Sequence, residues 1–283
     1  MADDLMLMRF GRGTVLKNLE RAVADGKLAM NPDGSFTPKG TAKSPVYLQV
    51  GNVRKMQCDF LSTLLFHIAY DKSAVPFGCH NCYKVKIAPF DFRGLIALRD
   101  ILEKTPYQSK CGVDFYNPHS RDVYAGFLYL EGLEAARQAY HQLREVVDQN
   151  AELGNSVRMT IKRGCSEMEA ACGPSDQWQF QDGLPEIEAA LQARYKPDQT
   201  APVPYRLRRM ASMVQWMQTA YSIGDDTYLA YTGGKPLHKP TVSYPVSDML
   251  RVDDRLPETC GTGIEVIAGL ACDEEALFTK ESR

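Results

Sequence analysis

The order of hydrophobic periods between residues 83 and 163 is the strongest constraint on the fold. Alternation with period two predicts strands over residues 83–90, 111–116, 123–130 and 157–163. Apolar spacing near 3.6 predicts helices over residues 92–104 and 132–149, and Asp91 can cap the first of them. The order strand, helix, strand, strand, helix, strand predicts an α+β fold with a ferredoxin-like βαββαβ core.

The flanking sequence predicts a division of the chain into three parts. Residues 1–75 read as an N-terminal, mostly helical segment that resembles part of a winged helix. Residues 76–178 form the ferredoxin-like, metal-binding core, and residues 179–283 form a helical and irregular C-terminal region.

One helix of the C-terminal region, predicted over residues 205–222, carries a methionine-rich stripe. The stripe is formed by Leu207, Met210, Met213, Val214 and Met217 at near-helical spacing, beside Trp216. Because methionine fills irregular gaps in protein interiors, we expect this stripe to face the core.

Composition narrows the class of protein. The 283 residues are 44% hydrophobic and 24% charged, with a net charge of −2, which gives no global case for nucleic acid or membrane binding. The chain has no apolar run of 18 residues and no signal-peptide pattern at its N-terminus, so a cytoplasmic location is expected. In that compartment cysteines are more often metal ligands, catalytic thiols or buried small side chains than disulfides.

Four cysteines are expected to meet at one edge of the predicted sheet. Cys79 and Cys82 form a C-x-x-C motif before the first strand, Cys111 opens the second strand and Cys165 closes the fourth. Right-handed crossovers make the first two strands parallel and the last two opposite to them, so these positions share an edge. The sequence therefore predicts a metal site of Cys79, Cys82, Cys111 and Cys165, with Cys172 as the alternative fourth ligand.

The spacing of the cysteines bears on the metal. Structural zinc sites usually combine two C-x₂₋₄-C pairs, whereas this chain has one pair followed by single cysteines from separate strands. That asymmetry favours an iron–sulfur cluster, of the 4Fe-4S type, with zinc as the alternative. A third hypothesis is a thiol enzyme that uses Cys79 or Cys82 as its nucleophile.

Five basic residues are predicted near the same edge. They are Lys84, Lys86, Lys110, Lys162 and Arg163. They can be a solvated rim, they can compensate the charge of a thiolate cluster, or they can form a phosphate-binding patch beside a structural metal. Cys58 and His67 fall in a predicted buried helix over residues 53–71, and we expect both to serve its packing.

The expected function follows from the predicted metal. An iron–sulfur protein would act in electron transfer, or as an accessory subunit of a redox system, with a protein redox partner or larger assembly. The alternative is a structural-zinc protein whose basic rim binds nucleic acid. No membrane partner is expected, and no P-loop, G-x-G-x-x-G, G-x-S-x-G or H-E-x-x-H motif indicates a nucleotide-binding or hydrolytic enzyme.

Overall fold

The N-terminal part of the chain, where the structure describes it, forms short strands, two α-helices and a π-helix. The computed structural model describes residues 2–39, 46–50, 58–115, 117–197 and 203–238. The first elements are, in chain order, α1 (Ala2–Met6), β1 (Arg9–Phe10), β2 (Gly13–Thr14), α2 (Val15–Ala24), β3 (Leu28–Met30), β4 (Phe36–Pro38), β5 (Tyr47–Val50) and a π-helix (Asp59–Ala69).

The remaining elements include all the other strands of the main sheet. They are α3 (Phe77–His80), β6 (Cys82–Ala88), α4 (Phe92–Leu102), β7 (Gln108–Val113), β8 (Tyr124–Glu131), α5 (Leu133–Asp148), β9 (Arg158–Arg163), α6 (Ser166–Cys172), a 3-10 helix (Ser175–Gln177), α7 (Leu184–Arg194), α8 (Tyr205–Ile223) and a second 3-10 helix (Asp226–Tyr231).

The main sheet has five strands in the order β5-β7-β8-β6-β9, and each strand is antiparallel to its neighbours. Strand β5 at one edge was not predicted from the sequence. Helices α4 and α5 pack on one face, where Val85, Ile87 and Leu128 of the sheet share a core with helix residues such as Leu95 and Leu143. The fold of the described residues is therefore mixed helix and sheet, of the α+β class.

The predicted strands and helices occur in the expected order, but one boundary differs in a way that affects the site. Strand β7 begins at Gln108, three residues before the predicted start at Cys111. Its alternation continues upstream because Ser109 is buried against the backbone of β5, where its hydroxyl donates to Val50 O at 3.2 Å. An apolar pattern alone does not reveal a buried serine as a strand residue.

The N-terminal part packs around the π-helix. Phe60, Leu64 and Leu65 of the π-helix lie in a second apolar cluster with Leu19 of α2 and Ile187 of α7. Residues 53–57 of the predicted buried helix, and residues 239–283 of the predicted C-terminal region, lie outside the described residues. The division into three parts, including the winged-helix interpretation, stays a prediction.

Helix α8 differs from the expectation for its methionine-rich stripe. Trp216 is fully buried, and Met213 and Met217 are partly buried against the main core. Leu207, Met210 and Val214 are instead about half exposed, at 53%, 56% and 50%. The core interpretation was wrong for these three residues, because α8 turns its Ser212–Trp216–Thr219–Ala220 side towards the sheet. Among the described residues no helix is both long and apolar enough to cross a membrane.

Candidate thiol-lined metal site

The C-x-x-C motif forms a tight turn between α3 and β6. Cys79 lies in the single turn of α3, Cys82 is the first residue of β6, and both side chains are buried. Gly78 leaves room for Leu61, since a Cβ atom at this position would lie 2.9 Å from the Cδ2 atom of Leu61 and that side chain would have to shift. The turn thereby presses its backbone against the π-helix and keeps both sulfurs on the inner side.

Glu188 of α7 holds this turn from outside. Its carboxylate accepts hydrogen bonds from the backbone N–H groups of Phe77 at 2.5 Å and Gly78 at 3.2 Å, and from the hydroxyl of Tyr70 at 3.2 Å. Burial raises the pKa of the Glu188 carboxyl, while the two backbone donors favour its charged form. The sequence pattern gave no reason to connect Glu188 with the C-x-x-C motif.

Cys165 reaches the motif through the junction of β9 and α6. The backbone N–H of Gly164 donates to the carbonyl of Cys82 at 2.8 Å, which places Cys165 directly beside the C-x-x-C turn. Gly164 has a φ of 62°, and a Cβ atom there would lie 2.3 Å from the ring of Trp178. Only glycine allows the chain to pass so close to the tryptophan, so this junction is fixed by packing.

Cys58 is the residue that sequence reasoning missed. It immediately precedes the π-helix, and its side chain lines the same small void as Cys79, Cys82 and Cys165. The void has a volume of about 20 Å³ and is otherwise lined by Leu61, Ser62, Lys84, Gly164 and Met168. The structure therefore gathers four thiols from three separate segments of the chain.

A polar bridge ties the segments of Cys58 and Cys165 together. The carboxylate of Glu167 in α6 accepts from the hydroxyl of Ser62 at 3.1 Å and lies 3.5 Å from the Nε2 atom of His67. Ser62 and His67 both belong to the π-helix. His67, which was expected to serve only packing, thus helps to hold α6 against the helix that begins after Cys58.

Cys111 does not join the other cysteines, and its predicted role needs correction. Because β7 begins at Gln108, Cys111 lies about 10 Å into the strand at roughly 3.4 Å per residue. It pairs with Gly126 of β8, which in turn pairs with Ile87 of β6. Ile87 lies five residues after Cys82, so the two side chains point to opposite faces. Cys111 is fully buried in the core beneath α4 and α5.

Cys172, the alternative fourth ligand, ends α6 and is partly exposed. It packs with Cys79, Cys165 and Met168 in a small apolar cluster beside the void, but it does not line the void itself. Its thiol lies 3.6 Å from the carbonyl of Lys72. Cys58 therefore lines the void in place of the expected Cys111, and Cys165 lines it where Cys172 was the alternative.

Lys84 points into the void from β6. Its Nζ atom lies 2.9 Å from the Sγ atom of Cys165 and 5.2 Å from the ring centre of Tyr129. Burial, the largest single effect, lowers the pKa of Lys84, but the charges of Cys165, Tyr129 and Cys82 and the hydrogen bond to Cys165 together outweigh it, so the pKa is raised overall. Within the described residues Lys84 has no ion pair with a carboxylate, and the sulfur of Cys165 is the acceptor of its hydrogen bond.

Lys110 lies on the same face of the sheet and has no ion pair in the described part of the chain. Its Nζ atom lies 4.1 Å from the ring centre of Tyr47 and 5.2 Å from that of Phe127. Burial and the charge of Lys84 lower the pKa of Lys110. Two cationic side chains thus stand close together beside the thiols, and an anionic centre would stabilise both.

Burial favours the protonated form of Cys58, Cys79 and Cys82. Burial raises the pKa of all three thiols, and that of Cys82 reaches about 12. Negative charge on neighbouring cysteines raises these pKa values further. Four close thiolates without a cation would repel one another in this apolar setting. A metal centre would reverse this preference, because its positive charge stabilises the thiolate form.

The predicted basic rim is not a free surface. All five residues are partly buried, and four of them donate to protein acceptors. Lys86 contacts Asp114, Asp122 and Ser120, each at 2.8 Å. Lys162 contacts Ser166 and Glu169, and Arg163 donates to the carbonyl oxygens of His80 and Ser175, each at 2.7 Å.

A larger pocket of about 740 Å³ lies on the other side of the C-x-x-C turn. Gly78, His80 and Asn81 of the turn form one wall, so the backbone of the motif separates this pocket from the thiol-lined void. His80 is buried and stacks on Phe180 with ring centres 4.3 Å apart. Burial and the positive charge of Arg163 lower the pKa of His80.

The four thiols form a donor set of the kind that holds zinc or an iron–sulfur cluster. Among the described residues no three His, Cys, Asp or Glu side chains are already arranged to hold a single ion. Bonds of about 2.3 Å at a tetrahedral zinc ion would require sulfurs roughly 3.8 Å apart. Both centres accept thiolate ligands. Because the thiols are not already arranged to hold a single ion, binding either centre would require the walls of the void to adjust.

Comparisons with known proteins give no relative. No protein-family description, no curated protein and no solved structure matches this chain.

Proposed function

We propose that this chain is a cysteine-ligated metalloprotein that holds a 4Fe-4S cluster through Cys58, Cys79, Cys82 and Cys165. The observation that carries the proposal is the Lys84 ammonium group donating to Cys165 in a void lined by four thiols. A buried cation whose nearest anionic partner is a cysteine sulfur is stabilised when that sulfur is a metal-bound thiolate. When bound, the cluster would supply a one-electron redox centre.

The surroundings support a cluster over an isolated ion. The four ligands come from one C-x-x-C turn and two single cysteines, whereas structural zinc sites usually combine two such pairs. Apolar side chains, including Phe66, Met168 and Trp178, cover the site on the side of α6. Two neighbouring lysines compensate the negative charge of a tetrathiolate centre, and nearby charge is one of the features that sets its potential.

Within this proposal the sheet from β6 to β9 is a ferredoxin-like core that serves as a rigid support. Residues of β6 supply one ligand and the lysine that donates to another. The protein would act in electron transfer, or as an accessory subunit of a cytoplasmic redox system, with a protein partner. Anaerobic reconstitution followed by a redox titration tests this role. Reversible one-electron reduction is expected, and a bound centre that is not reduced at any potential accessible in water would contradict it.

Structural zinc is the second candidate, and the small size of the void is the observation that favours it. The sequence also suggested that the basic rim of a zinc protein would bind nucleic acid. The structure gives this role little support, because four of the five basic residues already donate to acceptors within the protein. If the rim contacted phosphates, affinity would fall steeply with salt and Lys110→Ala would reduce the salt slope by about one. We expect no salt-dependent binding of nucleic acid, as measured by fluorescence anisotropy.

A further inference from the structure

The outer face of α8 carries a row of exposed apolar side chains. Leu207, Met210, Val214 and Tyr221 are 53%, 56%, 50% and 38% exposed, and their separations of three, four and seven residues place them on one stripe. This is the a/d spacing by which helices pair in coiled coils. The described residues include seventeen large apolar side chains that are exposed, and eight of them lie from Val203 to Tyr231. Exposed apolar side chains are therefore concentrated in the segment that contains the stripe.

The two ends of the stripe carry opposite charges. Arg206 lies at its N-terminal end and Asp226 follows its C-terminal end, and both are exposed. Within the described residues neither side chain forms an ion pair. The neighbouring Arg209, in contrast, already pairs with Glu103 at 3.4 Å.

We propose that α8 packs antiparallel against α8 of a second copy of this chain, about a two-fold axis near Val214. Leu207 would then face Tyr221 of the partner subunit, and Arg206 would face Ser222 of the partner subunit, about one helical turn from Asp226 of the partner subunit. An uncharged stripe with a cation at one end and an anion at the other is complementary to itself only in this orientation. The charge pattern therefore favours a second copy over an unrelated apolar partner.

The two-fold axis makes one position especially informative. Val214 lies at the centre of the stripe, so it would contact the same residue of the partner subunit. Val214→Glu would place two carboxylates against each other, and Val214→Arg would place two guanidinium groups there. A mixture of the two variants would instead form an attractive pair across the axis.

The test measures the molar mass of the full chain by light scattering after size-exclusion chromatography, over a range of concentrations. Wild type is expected to dimerise, and either Val214 variant should weaken the dimer at least tenfold. An equimolar mixture of Val214→Glu and Val214→Arg should restore it, which a folding defect could not do. Val146→Glu on α5 is the matched control, since Val146 is 48% exposed and lies outside the stripe.

Three results would overturn the proposal. Wild type could be monomeric at all concentrations, which would mean that another part of the chain or a different protein covers the stripe. The Val214→Glu dimer could be as stable as that of wild type, or the two Val214 variants could fail to pair with each other. This inference does not depend on the metal site, so it stands or fails separately from the proposed function.

Discussion

The Nζ atom of Lys84 donates to the Sγ atom of Cys165 across 2.9 Å, although 81 residues separate them in the chain. The pair joins β6 to the start of α6 inside a void that Cys58, Cys79 and Cys82 also line. Because Lys84 has no carboxylate partner among the described residues, the sulfur of Cys165 is the acceptor that this ammonium group contacts inside the void.

Replacing Lys84 with Met should lower the reduction potential of the bound cluster. The reduced state carries more negative charge than the oxidised state, so loss of the neighbouring cation destabilises the reduced state more. A potentiometric titration of the reconstituted protein measures the change. Lys162→Met is the control: Lys162 pairs with Lys84 across the sheet, but it already contacts Glu169, so a smaller shift is expected. Equal shifts in the two variants would argue against a specific role for the Lys84 contact.

Cys58→Ser should remove the metal, whereas Cys111→Ala should not. Cys58 lines the void with the other three thiols, while Cys111 is buried on the opposite face of the sheet. Since binding free energy contributes to folding free energy in such sites, Cys58→Ser should also melt lower than wild type. Metal analysis and thermal unfolding of both variants check the assignment.

Cys111→Ala is the control for this test, because it removes a buried sulfur from the core and leaves a small cavity there. It should lose about 1 kcal/mol of stability or slightly more and keep its full metal content. Loss of metal from Cys111→Ala together with retention in Cys58→Ser would return the ligand set to the one expected from the sequence.

Glu188→Gln should destabilise the protein by about 1–3 kcal/mol. The amide NH₂ group of glutamine would face a backbone N–H group that now donates to the carboxylate, and that buried donor would lose its acceptor. The Phe77 and Gly78 donors belong to the turn that carries Cys79, so metal should also be released faster to a chelator. Urea unfolding and the chelation rate measure the two effects. Glu186→Gln, an exposed change on the same helix, should stay within about 0.5 kcal/mol of wild type. Equal behaviour of the two variants would rule out a role for Glu188 in holding the turn.

Metal uptake at neutral pH should release at least the three protons of Cys58, Cys79 and Cys82. Burial raises the pKa of each of these thiols in the metal-free fold, so all three are protonated before binding. The apparent affinity should accordingly rise with pH, as the thiols become easier to ionise. Calorimetric titration with zinc, repeated in buffers of different ionisation enthalpy, counts the protons. Uptake without proton release would mean that other groups bind the metal.

The sequence allowed the order of strands and helices from β6 to β9 to be predicted, because the hydrophobic periods there are regular. It did not locate the start of β7, since Gln108 and Ser109 carry no apolar signal. That error of three residues placed Cys111 at the sheet edge, when it lies in the core.

Cys58 could not be recognised as part of the site from the sequence alone. Its surroundings have the apolar pattern of a buried helix, and the contact with Cys165 depends on how the π-helix packs on the sheet. The lysines were partly predictable, because period-two alternation places Lys84 and Lys86 on the same face as Cys82. Their internal partners depend on distant loops and on α6, and no local pattern indicates them.

The most direct test of the central claim is the visible absorption of anaerobically purified protein, recorded with its iron and acid-labile sulfide content. The account predicts a brown protein with the broad absorption of thiolate-to-iron charge transfer and about four iron and four sulfide atoms per chain. A colourless protein that takes up neither iron nor sulfide on reconstitution would contradict it, and one zinc ion bound instead would support the second candidate.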